Sequence, residues 1–257
     1  MIKFFRKIRF DLMETNKTGK YFKYAIGEIV LVVIGILIAL QVNNWNEHRK
    51  ERSSEQKILN EILIDLEFAQ KDLIRDIDLN KHNLKASENL IQLLLNKKND
   101  GDSIIKYMND AYYATQFYPR TAGYQSLESK GLDLIRNDSL RKTIINLFDL
   151  TFQLTIREGR EYDKMDNSEF DLDNYLRHHL IIDPNQSLVL SNNVGNYQFT
   201  THAVKVRDFD ALFNDDRFLT MLNKSIIGRF DKITRYLNTM EETEIVSRAI
   251  SKELERF

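Results

Sequence analysis

The sequence has no cysteine, two prolines and nine glycines among its 257 residues. Without cysteine the chain has neither disulfides nor thiolate chemistry, and its compartment can be oxidising or reducing. The scarcity of proline and glycine leaves few turn formers for a fold made of many short strands. Because 42% of the residues are hydrophobic, the chain can still bury a core. The composition therefore predicts an all-α fold.

The sequence also lacks the recognisable patterns of catalytic sites. It has no glycine-rich phosphate loop, no nucleophile elbow and no HExxH pair. Ser126, Ser129 and Lys130 lie close together, but they do not have the S-x-x-K spacing of serine acyl transfer. We predict that the protein is not an enzyme and that it uses no cofactor.

No metal-binding pattern is present either. His178 and His179 are adjacent, and neighbours on a helix point about 100° apart, so they cannot easily share one ion. The acidic tract from Glu158 to Asp173 lacks the spacing of a calcium loop and is interleaved with basic residues. We interpret the histidines as surface or packed residues and the tract as a solvated helix face, and we predict no metal site.

Charge is unevenly distributed although the formal net charge is only -1. Residues 1–23 contain seven Lys or Arg residues against Asp11 and Glu14. The chain beyond Lys57 is mildly acidic, so we predict no nucleic-acid partner.

An apolar run follows this basic leader. Residues 24–42 read YAIGEIVLVVIGILIALQV, and Glu28 is the one ionisable group within the apolar part. A helix of this length covers about 28 Å, roughly one hydrocarbon core, so the run predicts a transmembrane helix in contact with the lipid bilayer. A cleaved signal peptide is the alternative, since the uninterrupted apolar part, Ile29 to Leu40, has the length of an h-region. The long leader and the absence of an A-x-A cleavage site favour an uncleaved anchor.

The flanking residues predict the orientation of this helix. The leader has seven basic residues and the segment from Asn43 to Lys57 has four, which favours a cytoplasmic N-terminus. Tyr21 and Tyr24 on one side and Trp45 on the other are predicted interfacial anchors. We predict an inner-membrane protein with a cytoplasmic leader, residues 1–23, and an extracytoplasmic domain, residues 43–257, in the periplasm.

One face of the predicted span carries small and polar residues: Gly27, Glu28, Gly35 and Ala39. Small residues allow helix backbones to approach closely, so this face predicts packing against another span, in a homo-oligomer or with a protein partner. Glu28 would then pair with a cation there. The alternatives are that Glu28 snorkels toward the headgroups, or that it belongs to a proton or ion relay.

Two stretches resemble a known family. The MIKFFRKIR leader with YAIGEIVLVVIGILIALQVNNWNE, and YQSLESKGLDLIRNDSLRKTIINLFD at residues 124–149, closely resemble blocks of an uncharacterised family of single-span membrane proteins of Bacteroidota. The resemblance implies a membrane anchor followed by a helical extracytoplasmic domain. It implies no activity, substrate or catalytic residue.

Beyond the span, apolar residues recur at three- and four-residue steps. They predict long helices at about 46–98, 139–181 and 215–256, with shorter ones at 104–115 and 124–134. The spacing lapses near Asp78 to Asn83, where the first helix has a candidate break. Residues 185–207 are richer in β-branched residues and predict either a small β-hairpin or an ordered loop. Helices apolar on one stripe must share a core, so we predict an elongated antiparallel bundle.

The densest group of aromatic residues contains Tyr112, Tyr113, Tyr118, Arg120 and Tyr124. Such a group beside a basic residue can form a partner or ligand patch, but it is more often a hydrophobic cap that closes a bundle. The span and the helical bundle together predict a membrane-anchored interaction or scaffold module. The second hypothesis is a ligand-sensing domain that signals through a separate effector, because the short leader has no room for an output domain.

Overall fold

The structure is a computed structural model that describes residues 18–113, 115–164, 178–191, 195 and 197–257. Side chains are described from Ala25 onward, apart from those of residues 160–164. The chain divides into two units, Met1–Lys57 and Ile58–Phe257. Helix α1, Thr18–Leu95, contributes residues to both.

In the first unit, α1 carries the apolar run. Every residue from Leu31 to Leu40 is exposed. This most apolar part of the run is not buried inside the protein. An α-helix satisfies its own backbone hydrogen bonds, and its side chains here are almost all apolar. The N-terminal part of α1 is thus long and apolar enough to cross a membrane.

The second unit is a helical bundle with one two-stranded sheet. After α1 its described elements are α2 (Gly101–Tyr112), α3 (Ala122–Lys130), a 3-10 helix (Leu132–Leu134), α4 (Asp138–Ile145), a π-helical segment (Asn146–Thr151), α5 (Phe152–Lys164), β1 (Leu180–Ser191), β2 (Gln198–Val206), α6 (Phe209–Phe213) and α7 (Asp216–Leu254). The predicted fold class is confirmed: a long N-terminal helix, a helical bundle and one small hairpin.

Short polar side chains begin several of these helices. Asp100 accepts a hydrogen bond from Ser103 N at 3.1 Å, Asn137 from Leu140 N at 3.2 Å and Asp215 from Phe218 N at 3.0 Å. Each of these bonds satisfies a backbone N–H group that the first turn of a helix leaves without a partner.

Two hydrophobic clusters form the core of the second unit. The first joins the part of α1 between Ile58 and Ile77 to α3, α4, the π-helical segment and the C-terminal half of α7. The second joins Leu90 and Leu94 of α1 to α2, α6, the end of β2 and the beginning of α7. These contacts bury the apolar stripes that the sequence shows on α1 and α7.

Of the two alternatives predicted for residues 185–207, the structure has the hairpin, and β1 begins earlier than expected. β1 and β2 pair antiparallel, with Leu180 opposite Val206, and the register is irregular between Ile182 and Ser187. The prediction of helix as far as Ile181 is wrong, because Leu180 and Ile181 lie in β1. The base of the hairpin takes these residues into the sheet, where Leu180 packs against the second core cluster. Residues 165–177 of that predicted helix lie outside the described residues.

Helix α1 has no break near Asp78 to Asn83. The apolar spacing lapses there because Asn80 and Asn83 take inward positions, and both are buried. Their amide groups hydrogen-bond to the chain that follows α2. The sequence pattern therefore marked a polar contact inside the bundle.

Candidate functional site

The four residues of the predicted span face all lie on α1. Gly27 and Gly35 are open: a Cβ atom on either would meet nothing within 4 Å. Ala39 is exposed and Glu28 is half-buried. The face stays a prediction, and its two glycines leave room for another helix.

The predicted interfacial anchors lie on the same helix. Trp45 is 65% exposed, and the guanidinium carbon of Arg49 lies 5.5 Å from the centre of its ring. Tryptophan is enriched at the boundary between lipid and water. Tyr21 and Tyr24 lie within α1, before the first residue whose side chain the structure describes.

The structure divides the predicted aromatic patch. Tyr124 is buried, its ring stacks on Phe148 at 4.6 Å, and its hydroxyl donates to Asp149 at 2.8 Å. Burial raises the pKa of Tyr124, and the carboxylate of Asp149 raises it further. Tyr124 is therefore part of the first core cluster.

The other members of the patch reach the surface. Tyr112, Tyr113 and Tyr118 are 52%, 59% and 62% exposed. Arg120 is also exposed, and its guanidinium carbon lies 3.4 Å from the ring centre of Phe68 on α1. The three tyrosines, here called the exposed tyrosines, lie at the end of α2 and on the connection to α3.

Two buried cations of α7 hold the backbone beneath the exposed tyrosines. Arg229 donates to the carbonyl oxygen of Tyr113 at 3.1 Å and to that of Ala111. Lys232, which is 2% exposed, donates to the carbonyl oxygen of Thr115. The last carbonyl groups of a helix lack partners within it and carry partial negative charge, so cations stabilise this end of α2.

Amide side chains of α1 hold the same connection. Asn83 donates to the carbonyl oxygen of Tyr113 at 2.7 Å, and Asn80 donates to the hydroxyl oxygen of Thr115 at 2.7 Å. We call the buried group formed by these side chains the polar centre; its members are Asp76, Asn80, Asn83, Thr115, Arg229 and Lys232. It ties the end of α2 to α1 and to α7.

The sequence pattern did not predict the polar centre. Its signal was polar residues at inward steps of two otherwise apolar stripes: Asn80 and Asn83 on α1, and Arg229 and Lys232 on α7. Amides and cations next to an apolar stripe can also point to solvent, so the pattern alone did not identify these residues as buried. Apart from the hydroxyl of Thr115, the acceptors described above are backbone oxygens. Backbone oxygens are the same in every residue, so the sequence does not show which of them is bound.

Asp76 is the acidic member of the polar centre. It accepts from Arg75 at 3.3 Å through Oδ1, whereas its buried Oδ2 accepts no hydrogen bond from the described residues. Burial raises the pKa of this carboxyl above its ordinary value, although the charges of Arg75 and Lys232 oppose the rise.

A pH dependence of stability follows from Asp76. Because its folded-state pKa lies above the value of 3.8 in the unfolded chain, the folded state binds more protons between these two values. The contribution of Asp76 to stability is thus present below pH 3.8 and is lost as the pH rises through the folded-state value. The variant Asp76→Asn lacks this titration. As the pH rises from 3.8 to neutrality, we expect its free energy of unfolding to increase relative to that of the wild type. Urea unfolding of both proteins across this range measures the difference, and a constant difference would contradict the assignment.

The two adjacent histidines differ in exposure. His179 is 3% exposed, and its Nε2 lies 2.8 Å from Asp215 Oδ2. Asp215 also caps α7, so this pair joins the base of the hairpin to the start of that helix. His178 is exposed. Among the residues whose placement is described, no group of three His, Asp or Glu side chains could hold a metal ion.

The acidic tract is only partly described. Glu158 accepts from Arg235 Nε at 2.5 Å, and both side chains are partly exposed. Glu158 thus takes part in an ion pair between α5 and α7. The part of the tract that follows Lys164 lies outside the described residues.

The sequence model of a family of unknown function, DUF6090, matches residues 28–192. The matched range contains most of the apolar run and the whole of the second block, residues 124–149, so the predicted membership of an uncharacterised family is confirmed. No curated protein and no solved structure matches the chain.

Proposed function

The chain belongs to DUF6090, a family of unknown function, and we propose that it is a membrane-anchored protein-interaction module, not an enzyme. In this proposal α1 crosses the inner membrane of a bacterium of the Bacteroidota once. The basic leader stays in the cytoplasm, and residues 43–257 lie in the periplasm.

The anchor is supported by the exposure of the apolar run on α1. Leu31 and Leu37 are 66% and 55% exposed. Transfer of such apolar side chains from water into lipid is favourable. The excess of basic residues in the leader favours a cytoplasmic N-terminus. The open glycines Gly27 and Gly35 support packing of this helix against a second span.

The main support for the proposal is that the exposed tyrosines lie on a segment whose backbone is held in place by buried side chains. Tyrosine is enriched at interfaces, since its ring contributes a large contact area and loses little conformational freedom on binding. The carbonyl oxygen of Tyr113 accepts from both Asn83 and Arg229, so its backbone is held before any partner arrives. Such preorganisation lowers the entropy lost on association. The partner we propose is a protein that covers Tyr112, Tyr113 and Tyr118.

Site-specific photo-crosslinking in cells tests this proposal. Benzoylphenylalanine placed at position 113 of the full-length protein should form an adduct with one defined protein, identified by mass spectrometry. Phe230 of α7 is the matched control, because it is also aromatic and 62% exposed. The same probe at position 230 should give no adduct with that protein.

The adduct must depend on the polar centre as well. Asn83→Leu removes one of the two side-chain donors to the carbonyl oxygen of Tyr113, and we expect it to weaken the adduct from position 113. Equal adducts from positions 113 and 230, or no adduct from position 113, would refute the interaction surface.

A further inference from the structure

The outer half of the hairpin carries no formal charge. Residues 184–204 contain no Asp, Glu, Lys or Arg, whereas 29% of the whole sequence is charged. Every residue of β1 from Pro184 to Ser191 is exposed. The core therefore holds the base of the hairpin, and its outer half is uncharged and uncovered in the single chain.

This outer half has one apolar face. Leu190 pairs with Phe199, and Leu188 pairs with Thr201. Side chains alternate between the faces of a strand, so Leu188, Leu190 and Phe199 share one face. They are 46%, 50% and 52% exposed. Val189 lies on the other face, opposite Thr200.

One edge of β1 is unpaired in the described chain. β1 pairs with β2 in a two-stranded sheet, so the other edge has no described strand beside it. Natural edge strands usually carry charges, proline or bulges that prevent pairing with another chain. Pro184 and the irregular register before Ser187 protect the base of β1, but the segment from Ser187 to Ser191 has no such protection.

The sequence of that segment is a palindrome. It reads Ser-Leu-Val-Leu-Ser and is centred on Val189. In an antiparallel pair of identical segments with a two-fold axis at Val189, each residue would face a residue of its own type. Leu188 would lie opposite Leu190 of the second copy, on the apolar face of both sheets.

We propose that residues 187–191 of two copies of this chain pair antiparallel about a two-fold axis at Val189, which joins two hairpins into one four-stranded sheet. The pairing satisfies the free backbone groups of both edges and brings leucines of the two copies into contact. Because neither segment carries a charge, two copies meet without the repulsion that like charges on an edge would cause. The proposal rests on the proposed function in that it names a second copy as one partner of the module.

Cysteine crosslinking tests this arrangement sharply, since the natural sequence has no cysteine. In the full-length protein in membranes, Val189→Cys places two thiols directly opposite each other, at a Cα separation of about 4.5–5.5 Å, which a disulfide can span. With a mild oxidant such as diamide, we expect Val189→Cys to convert from monomer to dimer.

Single variants at the ends of the segment are the matched controls. In the proposed register Ser187 faces Ser191 of the second copy, so two Ser187→Cys residues would lie about 14 Å apart along the strands. Ser187→Cys alone should remain monomeric. A mixture of Ser187→Cys and Ser191→Cys chains, co-expressed with different tags, should form the mixed dimer.

The other outcomes overturn the proposal. Equal crosslinking of Val189→Cys and Ser187→Cys would indicate random encounters, such as those caused by a shared span. A Val189→Cys protein that stays monomeric would show that the strands do not pair, and protection of its thiol from a membrane-impermeant maleimide would then indicate cover by lipid or another protein. Either result leaves the adduct from position 113 untouched, so failure of this pairing is distinguishable from failure of the proposed function.

Discussion

Replacement of Gly123 by alanine is expected to destabilise the second unit by about 3 kcal/mol or more, because it forces backbone against backbone. A Cβ atom at this position would lie 2.6 Å from the backbone nitrogen of Ile62 and 2.7 Å from the carbonyl carbon of Glu61. Both atoms belong to α1, so no side chain can rotate away to make room. The N–H group of Gly123 also donates to the buried carboxylate of Asp65 at 2.7 Å. Moving α3 outward would break that bond.

Gly228 provides the matched control. It lies within α7, and a Cβ atom there would meet nothing within 4 Å. Alanine at this position should raise stability by about 0.5–1 kcal/mol, since glycine loses more backbone entropy in a helix. Urea unfolding of the full-length proteins in mild detergent, followed by circular dichroism, measures both changes. A Gly123→Ala protein as stable as the wild type would show that α1 and α3 are not in backbone contact.

Replacement of Arg229 by methionine should lower the free energy of unfolding by about 2–4 kcal/mol, because buried carbonyl groups lose their donor. Arg229 is 7% exposed, and it donates to the carbonyl oxygens of Ala111 and Tyr113. Methionine keeps much of the length of the side chain and removes every donor. The carbonyl oxygen of Tyr113 would then keep the amide of Asn83 as a donor.

Arg235 is the control on the same helix. It pairs with Glu158 at 2.5 Å, and the two side chains are 35% and 21% exposed. Because both side chains still reach solvent, and ion pairs at the surface contribute roughly 0–1 kcal/mol, Arg235→Met should have a smaller effect. The same unfolding assay compares the two variants. Hydrogen exchange adds a local readout: the amides of α2 should lose protection in Arg229→Met, and equal losses in both variants would argue against a specific role of the polar centre.

Local pattern was sufficient for much of the fold. The apolar run of α1 differs from a core helix of a small bundle, because its residues are apolar on all sides. The stripes of α1 and α7 repeat at helical steps over many turns, and long periodic signals of this kind are read reliably. Residues 185–207 predicted either a hairpin or an ordered loop, and the structure has a hairpin that extends back to Leu180.

The candidate site could be predicted only in part. Sequence spacing identified the aromatic group but could not separate Tyr124 from Tyr113, since both are tyrosines near the ends of short helices. Tyr124 is buried because Phe148 of the π-helical segment stacks on it. That contact joins residues distant in the chain, and the local sequence does not specify it.

The sequence by itself determined the apolar run of α1, the helical class and the uncharged palindrome of β1, because each depends on residues that are neighbours along the chain. The tertiary structure decided which polar residues are buried and what they bind. Lys232 and Thr115 are separated by 117 positions, and their contact depends on how α7 packs beside α1 and α2. A buried cation is stable only where fixed oxygen atoms replace its lost water, and the packing of the whole bundle supplies those atoms.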